Sequence, residues 1–239
     1  MKKIVLVLTT ALLFVSLASA QITIGAKGIF TLNAGTKEAE DFQNLKNDIS
    51  TVVELVGASF DSQLVVGGGG GLFVRYNMPF LSSLGIQTGL DVLANNGYKV
   101  EAAKTISEKT YSASISATYT SLELPILVTY DIGLGPVTLT LLLGPNISFP
   151  INKMKITTSS SIITDRSGTN EWNIANKAIF GITGGAAVAL RLGPGSLVTD
   201  IRYINDFTPV KAGEKDSENP MDLFTRRALA LSLGYQIRL

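Results

Sequence analysis

The chain has 239 residues, 46% hydrophobic but only 8% aromatic, with 20 basic and 19 acidic side chains and neither cysteine nor histidine. Without cysteine there is no disulfide framework and no lipid-modified Cys behind an export leader. Without histidine, Ser-His-Asp and Cys-His catalysis and His-bearing zinc sites are excluded, and the balanced charge offers neither a nucleic-acid patch nor a polybasic lipid clamp.

Met1, Lys2 and Lys3 form a positive start, Ile4 to Leu17 an apolar stretch, and Ala18-Ser19-Ala20 a small-residue cleavage site. That order predicts a bacterial secretory leader over 1–20 and a mature domain over 21–239. Losing Lys2 and Lys3 leaves 18 basic against 19 acidic residues, a net charge of −1. After Gln21 no run of about 18 uncharged apolar residues occurs, so helical membrane spans are not expected.

The mature chain is instead a series of segments with period two, the strand repeat. Ile22 to Leu32 sets Ile22, Ile24, Phe30 and Leu32 against Thr23, Lys27 and Thr31. Leu64 to Tyr76 sets Leu64, Val66, Leu72, Val74 and Tyr76 against Phe73 and Arg75. Gly85 to Tyr98 sets Ile86, Leu90 and Val92 against Gln87 and Asp91, and Ser112 to Tyr130 sets Leu122, Leu124, Ile126, Val128 and Tyr130 against Ser121, Glu123 and Thr129. Val137 to Phe149 opposes Val137, Leu139, Leu141 and Leu143 to Thr138, Thr140, Asn146 and Ser148. Ile174 to Leu192 opposes Phe180, Ile182, Val188 and Leu190 to Lys177, Thr183 and Arg191, and Ser196 to Phe207 opposes Leu197, Ile201 and Tyr203 to Asp200 and Arg202. Ala228 to Leu239 closes the series, with Leu229, Leu231, Leu233, Tyr235, Ile237 and Leu239 alternating with small or polar residues. That second face is too small and too sparsely charged for a solvated exterior; it suits the inside of a narrow barrel whose outside touches lipid.

Eight segments is an even number, as a single-chain bacterial barrel with both ends in the periplasm requires. The connections alternate in length. Asn77–Leu84, Asp131–Pro136 and Gly193–Gly195 are short and rich in turn residues, whereas Asn33–Gln63, Lys99–Tyr111, Pro150–Asn173 and Thr208–Asp222 are longer and polar. This asymmetry predicts short periplasmic turns and long outer loops. Tyr76, Tyr130 and Tyr235 are then expected in a periplasmic aromatic girdle, and Phe30, Tyr98, Phe149, Phe207 and Phe224 in an outer one. The expected fold is an all-β, eight-stranded antiparallel transmembrane up-and-down barrel.

The segments GGGLFVRYNMPFLSSLGIQTGLDVLANNGYKV (69–100), YTSLELPILVTYDIG (119–133), LLLGPNIS (141–148), LVTDIRYINDF (197–207) and ALSLGYQIRL (230–239) resemble the outer-membrane β-barrel proteins of Bacteroidetes and spirochaetes, the PorT-like or porin-family barrel domain. The resemblance covers nearly all of the mature chain and implies an eight-stranded barrel with no shared catalytic residue or cofactor. One departure is Leu239, where such barrels usually end in an aromatic residue.

The inward face is expected to carry Lys27, Arg75, Gln87, Asp91, Glu123, Arg191, Asp200, Arg202, Gln236 and Arg238. An eight-stranded barrel is just wide enough for side chains to fill, so these groups either pair as an ordered polar core or line a narrow ion path. No catalytic, cofactor or metal residues are expected. Gly67 to Gly71 run on into LFVRY rather than into Lys-Ser/Thr and a helix, so they are no phosphate loop; they suit close approach by a neighbouring backbone or side chain.

Only the first long loop has a helical period: Phe42, Leu45, Ile49, Val52 and Val56 come after Glu38, Glu40 and Asp41 and precede Gly57. An amphipathic helix is expected there, as a lid, a plug or a partner-gripping surface. The Ser/Thr-rich connection around 153–172 is expected to extend as a hairpin beyond the bilayer.

The function expected is that of a non-enzymatic outer-membrane barrel with a structural, adhesive or partner-binding role carried by its surface loops. Its partners would be outer-membrane lipid, the barrel assembly machinery during biogenesis, and a protein or host surface, with no nucleic acid. A narrow pore for ions or small apolar solutes is the first alternative and a soluble ligand-binding calyx the second.

Overall fold

The structure is a computed structural model that describes residues 21–38, 61–106, 109–160, 168–213 and 220–239. The leader and the loop-helix stripe Phe42, Leu45, Ile49, Val52 and Val56 lie outside the described residues.

Among the described residues, twelve strands form one antiparallel sheet. They are β1 (Gln21–Glu38), β2 (Asp61–Gln63), β3 (Val65–Met78), β4 (Leu81–Ile106), β5 (Lys109–Leu134), β6 (Val137–Pro150), β7 (Met154–Ser160), β8 (Gly168–Ile174), β9 (Ile179–Leu192), β10 (Gly195–Asp206), β11 (Val210–Gly213) and β12 (Met221–Arg238). Eight of them close a ring, β1-β3-β4-β5-β6-β9-β10-β12, and β12 returns to β1. Two-residue turns join β3 to β4, β5 to β6 and β9 to β10, and the latter two place Gly135 and Gly193 at positive φ (71° and 63°). These turns define one end of the barrel, the turn end; the opposite end, where β4 passes into β5, is the loop end.

The register measures the barrel. From Leu32 the pairing runs through Leu229, Tyr203, Gly184, Leu143, Val128, Ile86 and Tyr76 back to β1 at Ile22, a stagger of ten residues. Eight strands with that stagger tilt about 41° and give a backbone radius of about 8 Å. Side chains from opposite walls meet across so narrow a bore, and the lumen fills with them.

Every residue on that closed path faces outward, in a broad apolar band that includes Ile24, Leu72, Val128, Leu143, Leu190, Ile201, Leu231 and Leu233, each at least 40% exposed. Within this band Lys27, Arg75, Asp91, Glu123, Asp200 and Arg202 lie on the other face of the same strands. A soluble calyx needs the opposite arrangement. This is a transmembrane β-barrel: greasy outside, polar inside, closed without an edge.

Strands β4 and β5, at 26 residues each, reach about 65 Å along the barrel axis at this tilt, far more than a band about 25 Å tall requires. Above the band their pattern inverts. Outward residues of β5 change from Leu122, Leu124, Ile126, Val128 and Tyr130 to Ser112, Ser114, Ser116, Thr118 and Thr120, while inward residues change from Ser121, Glu123 and Thr129 to Ala113, Ile115, Ala117 and Tyr119. β4 achieves the same inversion with a bulge: Asn95 adopts φ 57°, the register slips between Leu93 and Asn96, and Tyr98, Val100 and Ala102 turn inward. The connection around Lys99–Tyr111 is therefore mostly strand.

Three further strands complete this upper part. β7 pairs with β5, β8 with β7, and β11 bridges β8 to β12, spanning the gap left where β6, β9 and β10 end. The Ser/Thr-rich connection thus forms a separate hairpin, β7–β8, rather than prolonging β6 and β9. The closing strand begins at Met221, seven residues before the alternation of its lipid face, and β9 begins at Ile179 with Lys177 ahead of it. Inside sits an apolar core of Tyr98, Ile115, Tyr119, Met154, Ile156, Trp172, Ile179, Val210, Leu223 and Phe224.

This core corrects the expected outer girdle. Tyr98 and Phe224 are 3% and 0% exposed and pack on each other with ring centroids 5.9 Å apart, because the strands continue beyond the bilayer as water-facing walls with an apolar inside. Phe30 and Phe207 do face outward, as do Tyr130 and Tyr235 towards the turn end.

Candidate functional site

The lumen is layered from the turn end upward. At the bottom, Arg75 donates through Nε and Nη2 to Gln87 Oε1 (3.1 and 2.8 Å) and lies 3.2 Å from Asp131, which also accepts from Thr140 (2.6 Å) and Asn77 (2.8 Å). β3, β4, β5 and β6 each contribute to that cluster. Above it lies an apolar layer of Phe73, Leu127, Leu142, Ala187 and Val198.

The middle layer is ionic. Lys27 Nζ meets Asp91 at 2.7 Å, Arg202 meets Asp200 at 2.6 Å and Asp91 at 3.6 Å, and all four side chains are at most 7% exposed. The glycine run makes room for it: a Cβ on Gly71 would stand 1.9 Å from the Asp91 carboxylate, and one on Gly69 would strike the Val92 carbonyl at 1.7 Å. Two positive and two negative charges balance here, beside a void of about 20 Å³, the size of one water molecule.

The next layer centres on Arg226, which is fully buried. Its guanidinium contacts Glu123 at 2.9 Å and Asp206 at 2.9 Å. Glu123 also accepts from Ser121 (2.6 Å), Ser148 (3.0 Å) and Asn146, and Asn96 holds Ser121 in place at 2.7 Å. Leu93, Ile204, Ala228 and Ala230 pack beside this cluster. Over it the apolar core closes the bore; burial there holds the Tyr119 phenol well above its ordinary pKa, so it stays protonated.

The ten residues singled out from the sequence separate into two groups. Lys27, Arg75, Gln87, Asp91, Glu123, Asp200 and Arg202 are buried in the lumen. Arg191 and Arg238 are exposed and Gln236 is half-buried, and these three line a funnel at the turn end. The funnel encloses about 480 Å³; Thr23, Thr138 and Ser196 share its wall, and Arg75 and Asp131 form its floor. The sequence pattern does not single out Arg226, Asp206 or Asp131. Arg226 and Asp206 hold the upper layer together, but Arg226 precedes the alternation by which the last strand is recognised, Asp131 opens a segment that reads as a turn, and Asp206, though on the inward parity of Asp200 and Arg202, stands at the very end of its strand. Continuing the even-numbered inward parity of Ala228, Ala230 and Ser232 back by one step finds Arg226.

The fold and its contents define a transmembrane β-barrel with a packed, charge-paired lumen, a polar funnel at the turn end and an apolar-cored extension at the loop end. Among solved structures, the chain is similar to Neisserial surface protein A (NspA), at 11% identity over 91% of this chain and 97% of that one, TM-score 0.43. It is also similar to the outer membrane protein OprG from Pseudomonas aeruginosa (12% identity, 92% and 97% covered, TM-score 0.43) and to a major outer membrane protein from Thermus thermophilus (17%, 89% and 99%, 0.45). No protein-family model and no curated protein matches the chain.

Proposed function

We propose that the protein is a non-enzymatic barrel of the bacterial outer membrane, exported by a leader over 1–20 and folded over 21–239. Its work is done by the loop-end extension as a contact surface for another cell-surface or host component. The turn end then faces the periplasm, lipid covers the apolar band, and the barrel assembly machinery inserts the chain. Kinship with the PorT-like barrels is part of this reading and rests on the segments at 69–100, 119–133, 141–148, 197–207 and 230–239.

The inversion of pattern on β4 and β5 carries the proposal. A chain that needed only to span the bilayer would end β4 soon after Leu93 and begin β5 shortly before Leu122; this one builds a second core and clothes it in Ser114, Ser116, Thr118, Thr157 and Thr169. Rows such as Lys99, Ser116, Thr157 and Thr169 run straight across four strands, with the Thr157 and Thr169 hydroxyls 3.1 Å apart. Such a face is rigid, so it contacts a partner at little entropic cost. The lumen residues serve as a structural core in this reading, since paired charges and two apolar layers occupy the bore.

Two measurements test it. Refolded full-length protein in planar bilayers is expected to give no stepwise conductance; reproducible open-channel steps would establish a pore instead. Cells displaying the chain are expected to attach to immobilised extracellular-matrix protein, and S114E/S116E/T157E, which leaves the core untouched, to attach less. Equal attachment by that variant, or none by the wild type, would refute the contact-surface role.

A further inference from the structure

The funnel at the turn end contains more positive charge than the barrel can use. Arg75 is held: Gln87, Asp131 and Thr140 take four of its five N–H donors, and Asp131 balances its charge. Arg191 and Arg238 differ. Both line the cavity, and among the described residues neither guanidinium makes an ion pair or a hydrogen bond. Among the described residues the Gln236 side-chain carbonyl oxygen in the same wall also has no partner. Counting the side-chain charges around the cavity, three guanidiniums face the single Asp131 carboxylate, which leaves a net charge of +2.

We propose that this funnel is a binding site for a phosphate-type oxyanion, with Arg191 and Arg238 as the anchoring cations and the Arg75 cluster as the floor. Planar guanidinium forks grip phosphate oxygens by paired, charge-assisted hydrogen bonds, and a cavity of about 480 Å³ matches the volume of small-ligand sites. The floor also makes the site a dead end. Above Arg75 the bore is filled by Phe73, Leu127 and Leu142, so an anion that enters is held rather than conducted. The apolar side chains of Ile237 and Tyr235 descend the outer wall beside the funnel, so its rim lies at the lipid–water boundary. Two sources of the oxyanion reach that rim: a phosphate free in the aqueous phase and the headgroup of a phospholipid in the adjoining leaflet.

The test uses full-length protein refolded in nanodiscs, with ¹⁵N-labelled arginine and the Arg75 Nε–H signal as reporter. One arm titrates inorganic phosphate into phosphatidylcholine nanodiscs; the other replaces part of the phosphatidylcholine by phosphatidylglycerol, with no phosphate added. A saturable shift in the first arm identifies a free oxyanion as ligand. A shift confined to the second identifies the lipid headgroup. In R191Q/R238Q the response is expected to weaken at least tenfold, and added salt is expected to weaken it in the wild type. Both substituted residues are exposed at the mouth, so the variant keeps the barrel, which its heat-modifiable gel mobility checks. No shift in either arm, or an undiminished response in R191Q/R238Q, overturns the proposal.

Discussion

Arg226 is the residue on which the barrel's upper layer turns. Substituting methionine keeps the length of the side chain and removes its charge, which leaves Glu123 and Asp206, 2% and 3% exposed, as two carboxylates with no counter-ion. Breaking a buried ion pair by removing one partner costs about 3–5 kcal/mol, because the charge left behind has lost its hydration and gained nothing. Arg226 serves two carboxylates at 2.9 Å each, so R226M is expected at the upper end of that range. The triple variant R226M/E123Q/D206N removes all three charges. The amide that E123Q introduces can still accept from Ser121 and Ser148, so most of the loss is expected to return. Urea-induced unfolding in lipid vesicles, followed by the fluorescence of Trp172 in the apolar core just above, reads the change directly. If R226M unfolds within about 1 kcal/mol of the wild type, or the triple variant is no more stable than the single one, the charge-pairing argument fails.

Two wall glycines, one of inward and one of outward parity, offer a contrast. G69A drives a methyl into the Val92 carbonyl and is expected to abolish folding into the heat-modifiable form, whereas G28A, with its nearest neighbour 3.9 Å away, is expected to change stability by less than about 0.5 kcal/mol. The inverted pattern predicts opposite tolerance on the two parts of the barrel. L231K, in the lipid band, is expected to cost about 2–4 kcal/mol in vesicle unfolding, and S114K, outward but above the band, close to nothing. I115K, inside the extension, is expected to melt the upper core and redden Trp172 emission; tolerance of I115K together with intolerance of S114K would reverse the assigned faces.

Much of the fold was legible in the chain because strand parity has only two values and lipid punishes the wrong one. Leu229, Leu231 and Leu233 must all face out, so Ala228, Ala230 and Ser232 must all face in, and eight such segments separated by alternating short and long connections imply a closed ring. The same parity brings Lys27, Asp91, Asp200 and Arg202 onto one face. It cannot say which of them touch, since contact across a bore depends on the ten-residue stagger, and no single strand records that.

The extension was hidden for a related reason. Its strands keep the period of two, but their environment reverses from lipid to water, so SASISATY reads as a weak membrane segment until one knows that it lies above the bilayer. Tyr98 shows the consequence. One residue of bulge at Asn95 moves it from the outer wall to the core, and only the pairing of β4 with β5 reveals that bulge. Composition and alternation alone were enough for a barrel with a greasy outside and no histidine or cysteine chemistry. The tertiary structure decided that Arg226 is buried between two acids, that Arg191 and Arg238 line a polar mouth, and that the loop end holds a second core, because each of these depends on distances between strands far apart in the chain.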